Sequence, residues 1–480
     1  MIKLYNTLTR NKEDFIPINE GKVKMYACGV TPYDEIHIGH ARQAVVYDVI
    51  RSYFEYAGYE VSYVRNYTDV DDKIIDRANR EGKKSTEVSG HFMKENSRDL
   101  DALKVHRASH EPTVTECMDD IIDFIQVLIS KGFGYEVNGE VFFDIDKFSK
   151  YGCLSNRKRE NLINSEESPN KKNNNDFVLW KPHKTGEPFW ESPWSKGRPG
   201  WHIECSVMAK KYLGDSIDIH GGGLDLLFPH HENEIAQSEA YSGKQFSKYW
   251  VHNGLVMIDG TKMSKSLGNF LTVKDALKDY FPEEIRYTIL THQYSSAIDF
   301  SNQLFLNARK RLHYFYSTLL RMRDLIDGVE VDSETSKAPE YITGLEAKFV
   351  EFMNDNFNAP RVISELADVF KELNKILVSS KYSLEEKTGI FNIFFKTFND
   401  ISSVLRLFEE KPRDYISKLK DKILNEREVT VEYIENRLKD RQSAKITKNY
   451  EKADSIKNEL MQKGISIQDT SGLVGWDIIF

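Results

Sequence analysis

Apolar positions early in the chain predict two buried strands joined by a helix. Val23 to Cys28 forms an apolar run that ends at Gly29, and Val61 to Val64 forms a second run after a turn at Ala57-Gly58. Between the two runs, apolar residues recur every three or four positions, as on one face of a helix, at positions 41, 44, 45, 49 and 53. The pattern therefore predicts a βαβ unit, and the first strand-to-helix turn of such a unit is where these sheets bind phosphates.

The apolar pattern changes twice further along the chain. It predicts a helix within Glu111–Ser130 and a strand within Gly139–Asp144, and strand-like segments resume at Ser216–His220. Past residue 300, apolar residues step by three and four, which predicts long amphipathic helices over 305–326 and 358–377. The interruption between 106 and 198 indicates an insertion that splits a nucleotide-binding sheet.

The predicted fold class is α/β, with a split Rossmann-type nucleotide-binding domain that contains an inserted domain. An α-helical bundle and a small mixed α/β C-terminal domain follow it. The predicted boundaries are 1–105 and 199–255 for the split domain, 106–198 for the insertion, 256–300 for a lysine-containing loop region, 301–405 for the bundle and 406–480 for the last domain.

Composition narrows the class of protein. The 480 residues are 40% hydrophobic and 29% charged, no apolar run is long enough to span a bilayer, and the first residues lack a signal-peptide core. Four scattered cysteines do not make a disulfide framework, so we expect a cytoplasmic protein. The net charge of -8 argues against indiscriminate binding of nucleic acid, so any RNA contact must use local patches.

Two short motifs point to chemistry on ATP. His37-Ile38-Gly39-His40 stands at the predicted helix start, and the stretch from Lys262 to Ser266 reads Lys-Met-Ser-Lys-Ser. Each is weak alone, because two histidines often form a surface pair and a lysine-rich loop is usually solvated. Together, in this order on a split nucleotide-binding fold, they resemble the two motifs of the class I aminoacyl-tRNA synthetases.

This resemblance implies formation of an aminoacyl adenylate, in which charge develops on the α-phosphate and on the departing pyrophosphate. Positioned donors must stabilise that charge. His37 and His40 are therefore expected to donate to phosphate oxygens, and Gly39 is expected to leave room for adenine. Lys262 and Lys265 are expected to neutralise the β- and γ-phosphates of ATP, which would bind together with Mg²⁺.

A second set of residues has the chemistry of a metal site. His230 and Glu234 are four apart, on one face of a helix, and Cys28 and Cys205 supply two thiols. Two thiolates, an imidazole and a carboxylate can hold Zn²⁺. The spacing leaves two questions open, because lone cysteines in a cytosolic protein are often core residues, and because His231 competes with His230 as the ligand.

Longer motifs resemble the cysteinyl-tRNA synthetase family over nearly the whole chain. They are CGVTPYD, HIGHAR, RNYTDVDDKI, GRPGWHIECS, HGGGLDLLFPHHENEIAQSEA, KMSKSLGN and a C-terminal R-x-x-AK-x-x-x-NY-x-x-AD pattern. The resemblance implies that the zinc ligands are Cys28, Cys205, His230 and Glu234. It also implies that the substrate amino acid contacts Gly29, Thr68, Trp201 and His220. For Trp201, packing in the core is the alternative.

The implied zinc would have a physical role in choosing the amino acid. An ion held by two thiolates and one nitrogen has room for the soft thiolate of cysteine. Serine offers a hydroxyl of much higher pKa, and alanine offers no ligand. A site that requires a specific coordinating group can reject analogues without a second site, so we expect no editing domain.

The resemblance gives the other domains a role in binding tRNA, with 256–300 near the stem and the regions past 300 reaching the anticodon. Between Glu435 and Gly464 there are eight Lys and Arg against five Asp and Glu. The candidate contacts with tRNA phosphates are Arg437, Arg441 and Lys445. The candidate contacts with anticodon bases are Asp454 and Asp469. The alternative for these charged residues is a solvated helix face. The expected partners are cysteine tRNA, ATP and L-cysteine, and nothing demands a dimer, so we expect a monomer.

Two alternative functions share these motifs. A cysteine ligase that acts on an amino sugar would use the same zinc and adenylate chemistry, but such enzymes lack the C-terminal anticodon module that this chain retains. A non-catalytic RNA-binding paralogue would usually lose histidines or lysines from the two short motifs, and both motifs are intact here.

Overall fold

The computed structural model describes residues 1–157, 168–258, 260–263, 270–329, 337–470 and 473–480, with the backbone alone at 262, 468–470 and 473–474. The strands of the described chain are β1 Lys3–Asn6, β2 Asn11–Asp14, β3 Lys22–Val30, β4 Glu60–Tyr67, β5 Gly134–Val137, β6 Glu140–Phe143, β7 Phe177–Pro182, β8 Gly197–Pro199, β9 Ile217–Gly223, β10 Ser247–Asn253, β11 Val256–Ile258, β12 Thr261–Lys262, β13 Ile298–Phe300, β14 Ile465–Thr470 and β15 Leu473–Ile478.

The described helices are α1 Ile38–Tyr56, α2 Asp72–Glu81, α3 Ser85–Ala102, α4 Met118–Ser130, α5 Trp201–Leu213, α6 Glu232–Ser242, α7 Val273–Asp279, α8 Pro282–Leu290, α9 Asn302–Ile326, α10 Glu340–Thr343, α11 Leu345–Asn354, α12 Ala359–Val378, α13 Leu384–Leu405, α14 Pro412–Glu426, α15 Val431–Ile446 and α16 Tyr450–Gln462. No helix of the described ranges combines the length and the apolar character needed to cross a membrane.

The chain divides into two compact units. The first consists of Met1–Phe305, Glu340–Leu366 and Lys396–Leu407. The second consists of Leu306–Pro339, Ala367–Phe395 and Phe408–Phe480. The domain boundaries expected from the sequence stay a prediction.

A four-stranded parallel sheet forms the centre of the first unit, in the order β10-β9-β3-β4. Its strands are almost wholly buried, which is why they appear in the sequence as continuous apolar runs. Helix α1 connects β3 to β4, so the predicted βαβ unit is confirmed, and both strands extend beyond their predicted ends. In the register of the sheet, Tyr26 lies beside His220, which lies beside Trp250.

The predicted helix over 111–130 begins later than expected. Helix α4 starts at Met118, after a short 3-10 turn over Thr115–Cys117. His110 and Thr113 instead form bridges with Val64 and Tyr67 of β4. Pairing with the sheet at His110 and Thr113 and the 3-10 turn after it replace the first seven residues of the predicted α-helix.

Two smaller sheets accompany the parallel sheet in the first unit. Strands β5 to β8 form an antiparallel sheet in chain order, within the range predicted as an insertion. Strand β11 pairs antiparallel with β12 and parallel with β13, so it carries the backbone toward Lys262. A separate hairpin joins β1 and β2.

The second unit is mainly helical and ends in the hairpin β14-β15, as the sequence predicts. Its C-terminal part has an apolar core of its own. The buried members of this core are Leu424, Val429, Ile434, Leu438, Ile456, Leu460 and Ile465.

Candidate active site

A cleft of about 410 Å³ lies at the carboxyl ends of β3, β9 and β10. Ligands of open parallel sheets bind at this edge, where the loops after the strands diverge. The residues that line the cleft include Gly29, His37, Gly39, His40, Trp201 and Met263. The structure therefore brings the first short motif and part of the expected amino-acid site to one cavity.

The two histidines of the first motif cap α1. His37 is the N-cap residue, and its Nδ1 accepts from the backbone N–H of Gly39 (3.1 Å) and of His40 (3.4 Å). In return, Nδ1 of His40 accepts from the N–H of His37 (3.4 Å), and the two rings stack with centroids 3.6 Å apart. Because both Nδ1 atoms accept, each neutral ring carries its proton on Nε2, so both rings are hydrogen-bond donors there.

Two glycines beside this cap are required by close packing. A Cβ on Gly39 would lie 2.9 Å from the His37 ring, so a side chain there would disturb the cap. A Cβ on Gly29 would lie 1.6 Å from the Asn66 carbonyl oxygen, at the irregular end of the β3-β4 pairing. The backbone N–H of Gly29 donates instead to Asn66 Oδ1 (2.9 Å).

The second motif is only partly described. Lys262 ends β12, where its backbone pairs with Met257. Lys265 lies outside the described residues. On the far side of the motif, Leu271 and Val273 bond to the backbone of Ile38 and Ile36, immediately beside His37.

Four buried donors meet beneath the cleft. The Sγ atoms of Cys28 and Cys205 are 3.8 Å apart, Cys28 Sγ is 3.4 Å from Glu234 Oε1, and His230 Nε2 is 3.1 Å from the same oxygen. Ligand atoms of all four residues lie within 4.8 Å of one another. A tetrahedral ion with Zn–S distances of about 2.3 Å would hold two sulfurs about 3.8 Å apart. The cluster can therefore bind a metal ion of this size and softness.

Both candidate histidines are buried in this region, with different neighbours. His230 belongs to the four-donor cluster, and its Nδ1 lies 2.9 Å from Nδ1 of His202. His231 Nε2 is 3.4 Å from Cys28 Sγ, while its Nδ1 lies 2.8 Å from His252 Nε2. Among the described residues, only His230 shares a cluster with both cysteines and the carboxylate. Its hydrogen bond with His202 orients the ring, and metal-binding histidines usually have such a partner.

Burial sets the protonation of these donors. It raises the pKa of the Cys28 thiol well above its usual value, and the neighbouring Cys205 and Glu234 act in the same direction. The hydrogen bond with Cys28 lowers the pKa of Cys205, but burial and Glu234 outweigh it and raise that pKa. Burial also lowers the pKa of His230 to about 3 and keeps the ring neutral. A divalent cation would stabilise the thiolates and accept the neutral imidazole.

The carboxylate of the cluster behaves differently. Burial alone would raise the pKa of Glu234, but His220 and His230 outweigh it and lower the pKa. His220 Nε2 lies 2.7 Å from Glu234 Oε2, which leaves Oε1 facing the cysteines and His230. Glu234 is therefore an ionised candidate ligand whose Oε2 is bound to His220 and whose Oε1 faces the cluster.

The remaining residues expected at the amino acid surround the cluster. Trp201 is 39% exposed, and its ring stacks on His230 with centroids 4.4 Å apart. Thr68 is buried, and its hydroxyl donates to Glu204 Oε2 (2.9 Å). Core packing therefore does not account for Trp201, because this residue is partly exposed, lines the cleft and stacks on a ligand candidate.

The expected tRNA contacts lie in the second unit. Arg437 is paired with Glu459 and Asp440, while Lys445 and Asp454 are exposed. Arg441 is only 5% exposed, because α15 places it on the same face as its buried apolar residues. The expectation of an exposed patch is therefore corrected at Arg441. Only the backbone of Asp469, in β14, is described.

Sequence reasoning missed several polar residues around the cluster. His202 and His252 bond to His230 and His231, and Gln43 Nε2 donates to the Cys28 carbonyl (2.5 Å). His202 had a usable signal, since it precedes Cys205 by three residues and therefore shares a helix face with it. Gln43 follows His40 by three residues and carried the same signal.

Comparison with known proteins defines the class. The model of the tRNA synthetases class I (C) catalytic domain matches residues 14–310, and that of the DALR domain matches residues 348–409. The fold is similar to Mycobacterium tuberculosis methionyl-tRNA synthetase in complex with methionyl-adenylate, with a TM-score of 0.60 at 13% identity over 84% of this chain and 94% of that chain. The first unit thus contains a class I tRNA synthetase catalytic domain.

Sequence relatives identify the family within that class. Proteins named Cysteine--tRNA ligase from Thermodesulfovibrio yellowstonii and from Clostridioides difficile are each 44% identical to this chain, over 99% of both chains. The chain belongs to the cysteine--tRNA ligase family. This confirms the predicted resemblance, the α/β fold class and the assignment as an enzyme, and it does not support the amino-sugar ligase or the non-catalytic paralogue.

Proposed function

We propose that this cysteine--tRNA ligase selects L-cysteine through a Zn²⁺ ion held by Cys28, Cys205, His230 and Glu234. As a member of its family, the enzyme activates cysteine with ATP and joins it to tRNA. The observation that carries the zinc proposal is the buried cluster, in which two sulfurs, one ring nitrogen and one carboxylate oxygen converge. Bound zinc would take the thiolate of the substrate as a further ligand, expanding its coordination from four to five.

The chemistry of the donors supports zinc over a hard cation. Mg²⁺ and Ca²⁺ prefer oxygen ligands, and this cluster offers one oxygen against two sulfurs and a nitrogen. His230 is neutral, so in the tautomer with its proton on Nδ1 its Nε2 would offer a lone pair to the ion and Nδ1–H would donate to Nδ1 of His202. Trp201 stacks on His230 and lines the cleft, so a substrate bound at the cluster would lie next to this ring.

The cluster would also explain selection against close analogues. A serine hydroxyl stays protonated at neutral pH and is a poorer partner for a soft ion, and alanine has no ligand atom. A site built around one required bond can reject both without hydrolysing a wrong product. We therefore propose that the enzyme has no editing activity.

Activation would take place next to the cluster, at the cap of α1. The Nε2–H groups of His37 and His40 would donate to phosphate oxygens of ATP, in a helix N-terminus that already favours anions. Lys262 and Lys265 would neutralise the β- and γ-phosphates, together with Mg²⁺ bound to ATP. The protein then contributes position and charge, which is what adenylate formation requires.

Binding of tRNA is proposed for the second unit and for the region before it. Lys445 and Asp454 are exposed on α15 and α16, where a phosphate and a base could reach them. Arg437 would first have to exchange Glu459 for a phosphate. The role of Asp469 in reading a base, the monomeric state and the cytoplasmic location remain predictions.

Metal analysis combined with amino-acid activation tests the proposal. Purified enzyme should contain about one zinc per chain, and pyrophosphate exchange should depend on cysteine and reject serine. Removal of zinc by a chelator should abolish exchange, and added zinc should restore it. A metal-free enzyme with full exchange and full preference for cysteine over serine would refute the zinc role, whereas tRNA charging by such an enzyme would leave the family assignment intact.

A further inference from the structure

A fully buried arginine lies one turn beyond the histidine cap. Arg42 is 0% exposed on α1, and among the described residues its hydrogen-bond partners are backbone carbonyls. Burial lowers its pKa to about 10, so the group is still a cation at neutral pH. A buried charge without a carboxylate partner is costly, so the carbonyls that hold it indicate a specific task.

These carbonyls belong to two separate passes of the chain. Nη1 donates to Gly254 O (2.8 Å) and Leu255 O (3.0 Å), and Nη2 donates to Tyr294 O (2.9 Å) and to Ser296 O. The first pair directly precedes β11, and the second lies in the turn that leads to β13. One guanidinium therefore joins α1 to the base of both strands.

The two passes are also bonded to each other at this point. Gly254 N donates to Tyr294 O (2.8 Å), and Ile298 N donates to Leu255 O (3.0 Å). Gly254 and Ser296 are so close that a Cβ on Gly254 would lie 2.2 Å from Ser296 O. A change in the position of Arg42 would thus move both strands together.

Strand β11 transmits this anchor to the second motif. Met263 N donates to Val256 O (3.3 Å), and Met257 pairs with Lys262. The backbone of Lys262 therefore pairs with β11, and Arg42 binds the carbonyl of Leu255, the residue immediately before β11. Across the cleft, Met263 Cε lies 3.5 Å from the position of a Cβ on Gly39, inside the histidine cap.

We propose that Arg42 is a positioning residue for phosphate activation. It fixes β11, the strand that pairs with the backbone of Lys262, relative to the cap formed by His37 and His40, so that both motifs meet the same phosphates. The inference rests on the proposed roles of these residues with ATP. It assigns to Arg42 a function in the geometry of activation rather than in binding cysteine or zinc.

A second buried arginine provides a matched control. Arg286 is 1% exposed and also binds backbone carbonyls, those of Leu405 (2.8 Å) and Leu103 (3.2 Å), together with Asp48 (2.7 Å). None of these three partners belongs to the cleft or to β11. Arg42→Lys and Arg286→Lys should therefore lose comparable packing, because a lysine ammonium cannot span several carbonyls as the planar guanidinium does.

Steady-state pyrophosphate exchange, with ATP and cysteine varied separately, distinguishes positioning from stability. We expect Arg42→Lys to lower kcat/KM for ATP about 10- to 100-fold, since a small misplacement has an effect of that size. Its KM for cysteine and its zinc content should stay within about twofold of wild type. Arg286→Lys should lower the denaturant midpoint while its ATP parameters, corrected for folded protein, remain those of wild type.

The proposal fails if Arg42→Lys keeps wild-type ATP parameters, or if its parameters for ATP and cysteine fall together with the folded fraction. Should Arg42→Lys be recovered unfolded, Gly254→Ala carries the test, because it displaces the same strand bases from the other side. A kinetic defect restricted to ATP supports the proposal there, and unchanged ATP kinetics refute it. Absence of cysteine-dependent exchange in the wild type would refute the proposed function instead.

Discussion

Replacing Cys205 by serine should remove the metal and, with it, amino-acid activation. The thiol lies on α5, is buried and stands 3.8 Å from the sulfur of Cys28. Serine is close in shape, so the fold should tolerate the change, but its hydroxyl stays protonated at neutral pH and is a poor ligand for a soft cation. The variant therefore changes the donor while keeping the packing.

The size of the effect follows from the number of donors. Exchanging a residue that only supports a ligand typically weakens metal binding 10- to 100-fold. Loss of one of the four donors here should reach at least the upper end of this range, about 100-fold, which corresponds to about 3 kcal/mol of binding free energy. The stability that the metal lends to the folded state should fall by up to a similar amount.

Cys153→Ser is the matched control, because Cys153 is an exposed cysteine outside the cluster. Both variants and the wild type would be dialysed against buffered zinc, analysed for bound metal and assayed for cysteine-dependent pyrophosphate exchange. Cys205→Ser should lose most of its zinc and its exchange, while Cys153→Ser should retain both. Wild-type zinc content and exchange in Cys205→Ser would refute the ligand set.

Three further predictions concern the phosphate site and the buried ion pair. Lys265→Ala should slow adenylate formation about 100-fold at unchanged zinc content, measured by single-turnover kinetics; a defect confined to tRNA binding would contradict the role of this lysine. Gly39→Ala should raise KM for ATP about tenfold, because its Cβ meets the His37 ring at 2.9 Å, and equal ATP kinetics in wild type and variant would show that the cap tolerates it. Burial alone would raise the pKa of Asp48, but Arg286 and His106 together outweigh it and lower the pKa from 3.8 to about 2. Asp48 should therefore contribute roughly 2 kcal/mol of stability above about pH 4 that is lost as the pH falls toward 2; urea denaturation from pH 5 to 2 should show this loss in wild type and not in Asp48→Asn.

Periodicity was enough to locate the nucleotide-binding part of the fold. The apolar run before Gly29 and the helical spacing after His40 predicted β3 and α1, because a fully buried parallel strand and its crossover helix have distinct patterns. The same reasoning failed at 111–117, where Thr113 pairs with β4 and a 3-10 turn follows it. Such long-range pairing leaves no local pattern in the sequence.

The metal cluster was predictable only in part. Helical spacing brings His230 and Glu234 together, but it does not bring Cys28 to Cys205, which requires the packing of α5 against the sheet. The spacing also could not choose between adjacent histidines, since both rings turned out to be buried. Long motifs shared with the family supplied the missing constraint.

Charge counting was least informative in the C-terminal helices. Arg441 was counted as part of a basic surface, yet it follows Ile434 and Leu438 at helical spacing on the buried face of α15. A long arginine can lie along an apolar face, so its charge alone does not establish exposure. The spacing relative to apolar neighbours was the better guide.

The four donors beneath the cleft come from β3, from α5, from the short turn Leu227–His231 and from α6, and the outermost pair is 206 residues apart in the chain. During synthesis, a ribosome must therefore extend the chain past residue 234 before any copy can collect the full donor set. Loading of the ion must therefore wait until these separate segments have come together. In a cell short of zinc, the expected result is an accumulation of folded but inactive enzyme, which added metal should reactivate without new protein synthesis.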